Sequence, residues 1–334
     1  MPPRWRLPLL VLGFASLALG VAGGLARLGA SIPAPAGAVS LHGALMVSGF
    51  LGTVIGLERA VALGHLWAYA APLASGLGGI CLLAGLAVPG FALMVLAAAL
   101  LVAASAATFA RQRSLEMATL LAGALAWLAG NLFLLAGQPA VPWWIAFFAL
   151  TIGGERLELS RYLKRPPAVR FYFLILAILL LITPLAPRLM GAALLLLALW
   201  LCAFDLARIT VRQTALPRYI AVCLLSGYAW LALGGALLAA AIAYDAALHA
   251  IFVGFVFSMV FGHAPVILPA VLRVSLPYSS VLYLPLALLH ASLAIRVFVS
   301  VSVGAWGNAA AIALFVATAA TLVFSRASSG RPRR

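Results

Sequence analysis

The sequence predicts an all-α polytopic membrane protein with about twelve transmembrane helices, and three observations carry that expectation. Hydrophobic residues fill 66% of the 334 positions and charged residues 8%, far below the quarter or so usual in a soluble domain. Apolar runs of about 20 residues, the length that crosses a bilayer core, repeat from end to end. The basic residues sit in short segments between those runs, as in cytoplasmic loops. That placement argues against nucleic acid as the partner behind the formal net charge of +15 and makes the lipid bilayer the expected one. Cys81, Cys202 and Cys223 lie inside apolar runs without CxxC spacing, so neither disulfides nor a thiolate metal site is expected.

Runs bounded by Arg, Pro or Gly place the spans at 7–28, 38–58, 67–88, 91–110, 117–136, 141–159, 171–186, 189–207, 219–243, 247–268, 279–299 and 303–325. Period-2 alternation is absent and the runs are twice the length of a barrel strand, so strands are not expected. Arg4 and Arg6 followed by an apolar run to Ala26 resemble a signal peptide, but retaining that run as the first span keeps the later topology consistent.

With both termini inside, eighteen basic residues fall on the inner face: Arg4, Arg6, Arg59, Arg111, Arg113, Arg156, Arg161, Lys164, Arg165, Arg170, Arg208, Arg212, Arg218, Arg273, Arg326, Arg331, Arg333 and Arg334. The outer face keeps Arg27, Arg188 and Arg296. A miscounted span would mix the two sets, so the split supports twelve spans in a bacterial-type inner (cytoplasmic) membrane. Spans two and six end alike, in Gly56-Leu57-Glu58-Arg59 and Gly154-Glu155-Arg156. They are four helices apart and span ten is four further on, a hint of three four-helix units within one integral membrane domain.

An ionisable side chain inside a span is costly and is by default a functional candidate. His65 falls in a loop and has a solvated role, whereas His42, His249, His263 and His290 lie within spans. His42 and His249 both enter within about one turn of the outer surface. That arrangement suits two imidazoles on one haem iron, and it suits equally two side chains that cap a helix end or bridge helices. His263 follows His249 by fourteen residues, on nearly the same face but about 21 Å deeper. It nears the level of Glu58 and Glu155, where a proton path, a second metal site and a polar network with Arg59 and Arg156 are the alternatives. Pro265 and Pro269 are expected to kink or break that helix. His290, mid-span, is expected to bridge helices. Gly49, Gly52 and Gly56 form a stripe that admits either a flat macrocycle or, more commonly, another helix.

Twelve spans, His42-Gly43-Ala44-Leu45-Met46 at the outer end of span two and His249-Ala250-Ile251-Phe252-Val253-Gly254 opening span ten resemble the heme-copper oxidase subunit I superfamily. Within it the chain resembles the NnrS family, membrane proteins linked to the nitric oxide response. Ser258-Met259-Val260 and Gly262-His263 are similar to that family's histidine helix and its following Gly-His turn. The resemblance covers about 50 residues around spans two and ten, plus the layout. It implies that His42 and His249 are the axial ligands of a low-spin haem b, that Arg296 holds a haem propionate, and that a redox partner protein exists. For Arg296 a snorkelling interfacial side chain is the other reading. Copper is left open through His263. The superfamily's oxygen-reducing centre is missing. Ala247 and Leu248 stand where a second span-ten histidine is needed, and the run from Trp143-Trp144-Ile145-Ala146-Phe147-Phe148 to Glu155 has no histidine.

The implied function is therefore haem-based electron transfer or nitric oxide handling without terminal oxidase activity. A secondary transporter of a small solute is the rival reading, since Glu-Arg pairs and Pro/Gly-interrupted helices also suit carriers. A transporter should show a repeat of six spans, while the Gly-x-Glu-Arg echo recurs after four. An assembly factor would leave the buried histidines without a role. The charge split yields a direct test with reporter fusions. Fusions at Lys164 and Arg334 should report the cytoplasm and one at Asp245 the outside; an outside signal at Lys164 with a cytoplasmic one at Asp245 refutes the topology.

Overall fold

The computed structural model describes residues 2–161, 163 and 165–328, so Lys164 and the tail with Arg331, Arg333 and Arg334 lie outside the described residues. Among the described residues there is no strand, and ten helices are long and apolar enough to cross a bilayer. The chain is an all-α multi-pass membrane protein. In chain order the helices are α1 Pro3–Ala26, α2 His42–Leu63, α3 Leu66–Leu83, α4 Ala87–Arg111 and α5 Leu115–Leu135. Then come α6 Val141–Ser160, α7 Pro167–Ile182, α8 Pro187–Phe204, α9 Ala215–Ala240, α10 Tyr244–Leu272 and α11 Ser280–Phe298, and finally α12 Val301–Ser328. The two outside the membrane-length set are α6, which carries Glu155, Arg156 and Glu158 near its end, and α7, with only 16 residues.

Local chemistry sets the ends, which fall a few residues from the expected ones. α7 starts four residues earlier than expected because Pro167 occupies its first position, where a missing N–H costs nothing. It stops ahead of Pro184. Gly85 and Gly137 take positive φ in the turns after α3 and α5, as tight helix exits require. The Ser114 hydroxyl caps α5 by accepting from the Met117 N–H at 3.3 Å. α2 runs past Glu58 and Arg59 to Leu63, and it begins at His42 because Leu41 breaks it from the short helix Ala36–Ser40. α10 is not broken at Pro265: both prolines sit inside a helix that continues to Leu272.

The irregularity lies elsewhere. Leu45–Leu51 in α2 and Ala250–Phe257 in α10 are wound as π-helix, a rare state usually confined to single turns and often found at functional sites. Each follows closely on a histidine, His42 and His249. Nothing in the apolar pattern marks these segments.

The chain divides into two compact units rather than three: residues up to Glu158 with Leu180–Leu185, and Leu159–Leu179 with the chain from Ala186 onward. In the first unit α1 packs on α3 and on the π segment of α2, and α4 lies between α3 and α5. In the second, α9 packs against α8 and along the π segment of α10, and α11 pairs with α12. Large apolar side chains such as Leu96, Leu132, Leu196 and Phe324 face outward, as a lipid-solvated surface requires.

A buried polar network fastens the first unit around the π segment of α2. The Ser48 hydroxyl donates to Asn131 Oδ1 at 2.9 Å and accepts from Trp127 Nε1 at 3.1 Å. Asn131 Oδ1 also accepts from Trp144 Nε1 at 3.1 Å, and its amide donates to the Met94 carbonyl at 3.0 Å. The Ser75 hydroxyl donates to the Ser48 carbonyl, in a segment where π winding disturbs the usual α pairing. All five side chains are buried, and they tie α2, α3, α5 and α6 to one another and to α4. The Gly49, Gly52 and Gly56 stripe serves helix packing. A Cβ would meet Ser16 Oγ at 2.8 Å at Gly49, Trp127 Cζ2 at 2.5 Å at Gly52, and Pro72 at 3.3 Å at Gly56.

Two stability tests follow, both read as melting in detergent. Gly52→Ala should destabilise by about 1–3 kcal/mol through overpacking. Gly43→Ala, whose nearest new contact is Trp144 Cζ3 at 3.7 Å, should be tolerated; equal melting of the two variants would refute the packing role. Asn131→Leu should cost about 1–3 kcal/mol for each polar partner it orphans, and an unchanged melt would show that the network contributes nothing.

Candidate functional site

His42 is seated on α1 by backbone. Its Nδ1 lies 2.7 Å from the Gly20 carbonyl oxygen. A Cβ at Gly24, one turn along, would come within 2.9 Å of the ring's Cε1. Only a residue without a side chain lets the imidazole lie this close to α1. Because a carbonyl can only accept, Nδ1 carries the proton, and in the neutral ring the lone pair then belongs to Nε2.

His249, in the second unit, follows the same rule by a different route. Its Nδ1 is 2.8 Å from the Asp245 carbonyl oxygen one turn earlier in α10 and 3.3 Å from Asp245 Oδ1. Side chains in a helix lean toward the N-terminus, which brings the ring back over Asp245. Arg296 of α11 holds that carboxylate, its Nη2 3.0 Å from Oδ2 and 3.2 Å from Oδ1. His263 repeats the pattern, with Nδ1 2.8 Å from the Met259 carbonyl oxygen. Three of the four histidines within spans therefore direct Nδ1 at a backbone carbonyl, the orientation that metal-bound imidazoles commonly show.

His290 differs. Trp230 Nε1–H donates to its Nδ1 at 2.9 Å, so its proton is on Nε2, and the two rings lie nearly parallel. It bridges α11 to α9. In the loop after α2, His65 Nε2 accepts from the Arg111 guanidinium at 3.0 Å.

The structure brings part of the expected Glu-Arg network together in the first unit. Arg59 Nη2 lies 3.9 Å from Glu155 Oε1, and Glu58 is within electrostatic reach of both Glu155 and Arg59. The echo between spans two and six thus marks two helix ends that pair. Arg156 is buried. His263 belongs to the second unit. Among the described residues no group of three or more His, Cys, Asp or Glu side chains gathers as a metal cluster.

Sequence reasoning passed over several functional-grade groups. Asp205 is fully buried at the end of α8, where it accepts from the Tyr228 hydroxyl and from the Ala207 N–H at 3.0 Å. Glu116 is buried at the start of α5. Asp245 is the group that couples Arg296 to His249. Each is an acid at the edge of an apolar run, and that signal was available in the sequence. Their partners, far away in sequence, were not.

No curated protein and no solved structure matches the chain. A family model matches residues 6–324, nearly its whole length. The chain belongs to that family, described as a domain of unknown function (DUF8744).

Proposed function

We propose that the chain is a twelve-span protein of a bacterial-type inner membrane, with both termini cytoplasmic, that binds haem b through His42 and His249. It resembles the NnrS family in this reading, serving electron transfer with a redox partner protein or the handling of nitric oxide. One observation supports it most directly: both imidazoles have Nδ1 held on a backbone carbonyl, which puts the lone pair on Nε2, the nitrogen an iron would take. Both sit at the start of a helix that turns to π winding. Imidazole nitrogens are a donor type that haem iron takes. Held there by His42 and His249, the haem would supply a one-electron redox couple. The side chains' own work is to present Nε2 in a fixed tautomer and to keep the ring from turning. His263 has the same tautomer, and copper would be its second-metal reading.

The transporter reading is favoured by a different observation, the division into two compact units. Against it, the π segments do not recur after six helices: one is in α2 and the other in α10, eight apart.

Optical spectroscopy of the protein purified from haem-replete cells decides between them. A reduced b-type spectrum should appear, and either His42→Ala or His249→Ala should abolish it. Gly24→Ala should weaken it by pushing the His42 ring off its seat, and His65→Ala should leave it intact. Absence of a Soret band would overturn the haem reading and leave the transporter in front.

A further inference from the structure

We propose that Asp245 and Arg296 are a positioning pair for His249, with Arg296 committed to the Asp245 carboxylate rather than to a haem propionate. Its electronic consequence rests on the haem reading; its geometry does not. Asp245 stands in the first turn of α10, where a negative charge is favoured by the helix dipole, and its side chain is 57% exposed. A carboxylate that open would sample several rotamers. Arg296 prevents this by contacting both carboxylate oxygens, at 3.0 and 3.2 Å.

Arg296 is itself fixed. Its side chain is only 6% exposed, which is incompatible with the snorkelling reading. α12 crosses so closely at Gly304 that a Cβ there would strike the Arg296 backbone. The guanidinium Nε–H is buried without a partner, so the Nη2 contacts to Asp245 are what offset the cost of burying the charge. A propionate in place of Asp245 would strip His249 of its carboxylate and leave Asp245 without its cation.

The held carboxylate lies 3.3 Å from His249 Nδ1, beside the carbonyl at 2.8 Å. A carboxylate behind a ligand imidazole fixes its orientation and strengthens its electron donation through the other nitrogen. Asp245 would therefore stabilise the oxidised iron, and Arg296 acts only through Asp245.

The test is a double-mutant cycle of Asp245→Asn and Arg296→Gln. It is read as the midpoint potential of the haem and as the ¹⁵N resonance of His249 Nδ1 in histidine-labelled protein. Asp245→Asn should raise the potential and move the Nδ1 resonance. In the Arg296→Gln background the same change should have little further effect, because the carboxylate is no longer held. If Arg296→Gln fails to fold, Arg296→Lys keeps the charge, loses the two-oxygen grip and should reduce the Asp245→Asn effect. Additive shifts overturn the role of Arg296, and an unmoved Nδ1 resonance in Asp245→Asn overturns that of Asp245. If wild-type protein has no Soret band, the haem reading falls. The Nδ1 resonance of the haem-free protein then decides the positioning pair by itself.

Discussion

The structure depends on one constraint: backbone N–H and C=O groups in a lipid interior must find partners within the protein. Ordinary α winding satisfies it, and most of the chain is wound that way. The two π segments depart from it, because changing the pairing register from four residues to five disturbs the ladder where it begins and ends. In α2 the disturbed region is met by the Ser75 hydroxyl on the Ser48 carbonyl, and the Ser48 side chain is tied to Asn131 and Trp127. In α10 the Ser258 hydroxyl turns back to the Gly254 carbonyl. The irregular winding is thus accompanied by polar side chains that would otherwise have no reason to be buried in apolar helices.

Close approach is the second requirement. A hydroxyl, an indole N–H and an amide can meet only if the helices carrying them come nearer than side chains normally allow. Gly49 and Gly52 supply that approach beside Ser16, Ser75 and Trp127. Gly24 does the same for the His42 ring. The small residues and the polar contacts are therefore one device. Filling the gap at Gly52 would strain the Trp127 and Ser75 side chains, both of which hydrogen-bond to Ser48.

Helix existence was legible in the sequence because lipid imposes it: a run of about 20 apolar residues has few other fates. Prolines and glycines marked most ends. What could not be read was winding within a run, since π and α segments share the same composition. Long-range pairing was equally hidden. The sequence offers a haem contact or an interfacial side chain for Arg296 and gives no sign of its contact with Asp245, 51 positions away on another helix. The exception is the Glu-Arg echo of α2 and α6, where the polar network expected from the sequence is met in part by Arg59 facing Glu155 inside one unit. His42 and His249 were visible as polar residues in apolar runs, but the carbonyls that orient them were not, because a carbonyl has no letter in the sequence.

Those carbonyls also bear on what the histidines can do. A histidine that relays protons takes one on one nitrogen and gives one up from the other, so each nitrogen must be able to exchange its proton. At His42, His249 and His263 the proton on Nδ1 points at an acceptor that has none to give back. Losing it would leave a nitrogen lone pair against a carbonyl oxygen, two acceptors in contact in a low-dielectric interior. The proton-path reading of His263 therefore carries a penalty that a ligand role does not. His290, whose Nδ1 accepts from Trp230, has the opposite tautomer and would offer a metal the protonated nitrogen. The same local geometry leaves the lone pair on Nε2 in three of these rings and puts the proton there in the fourth.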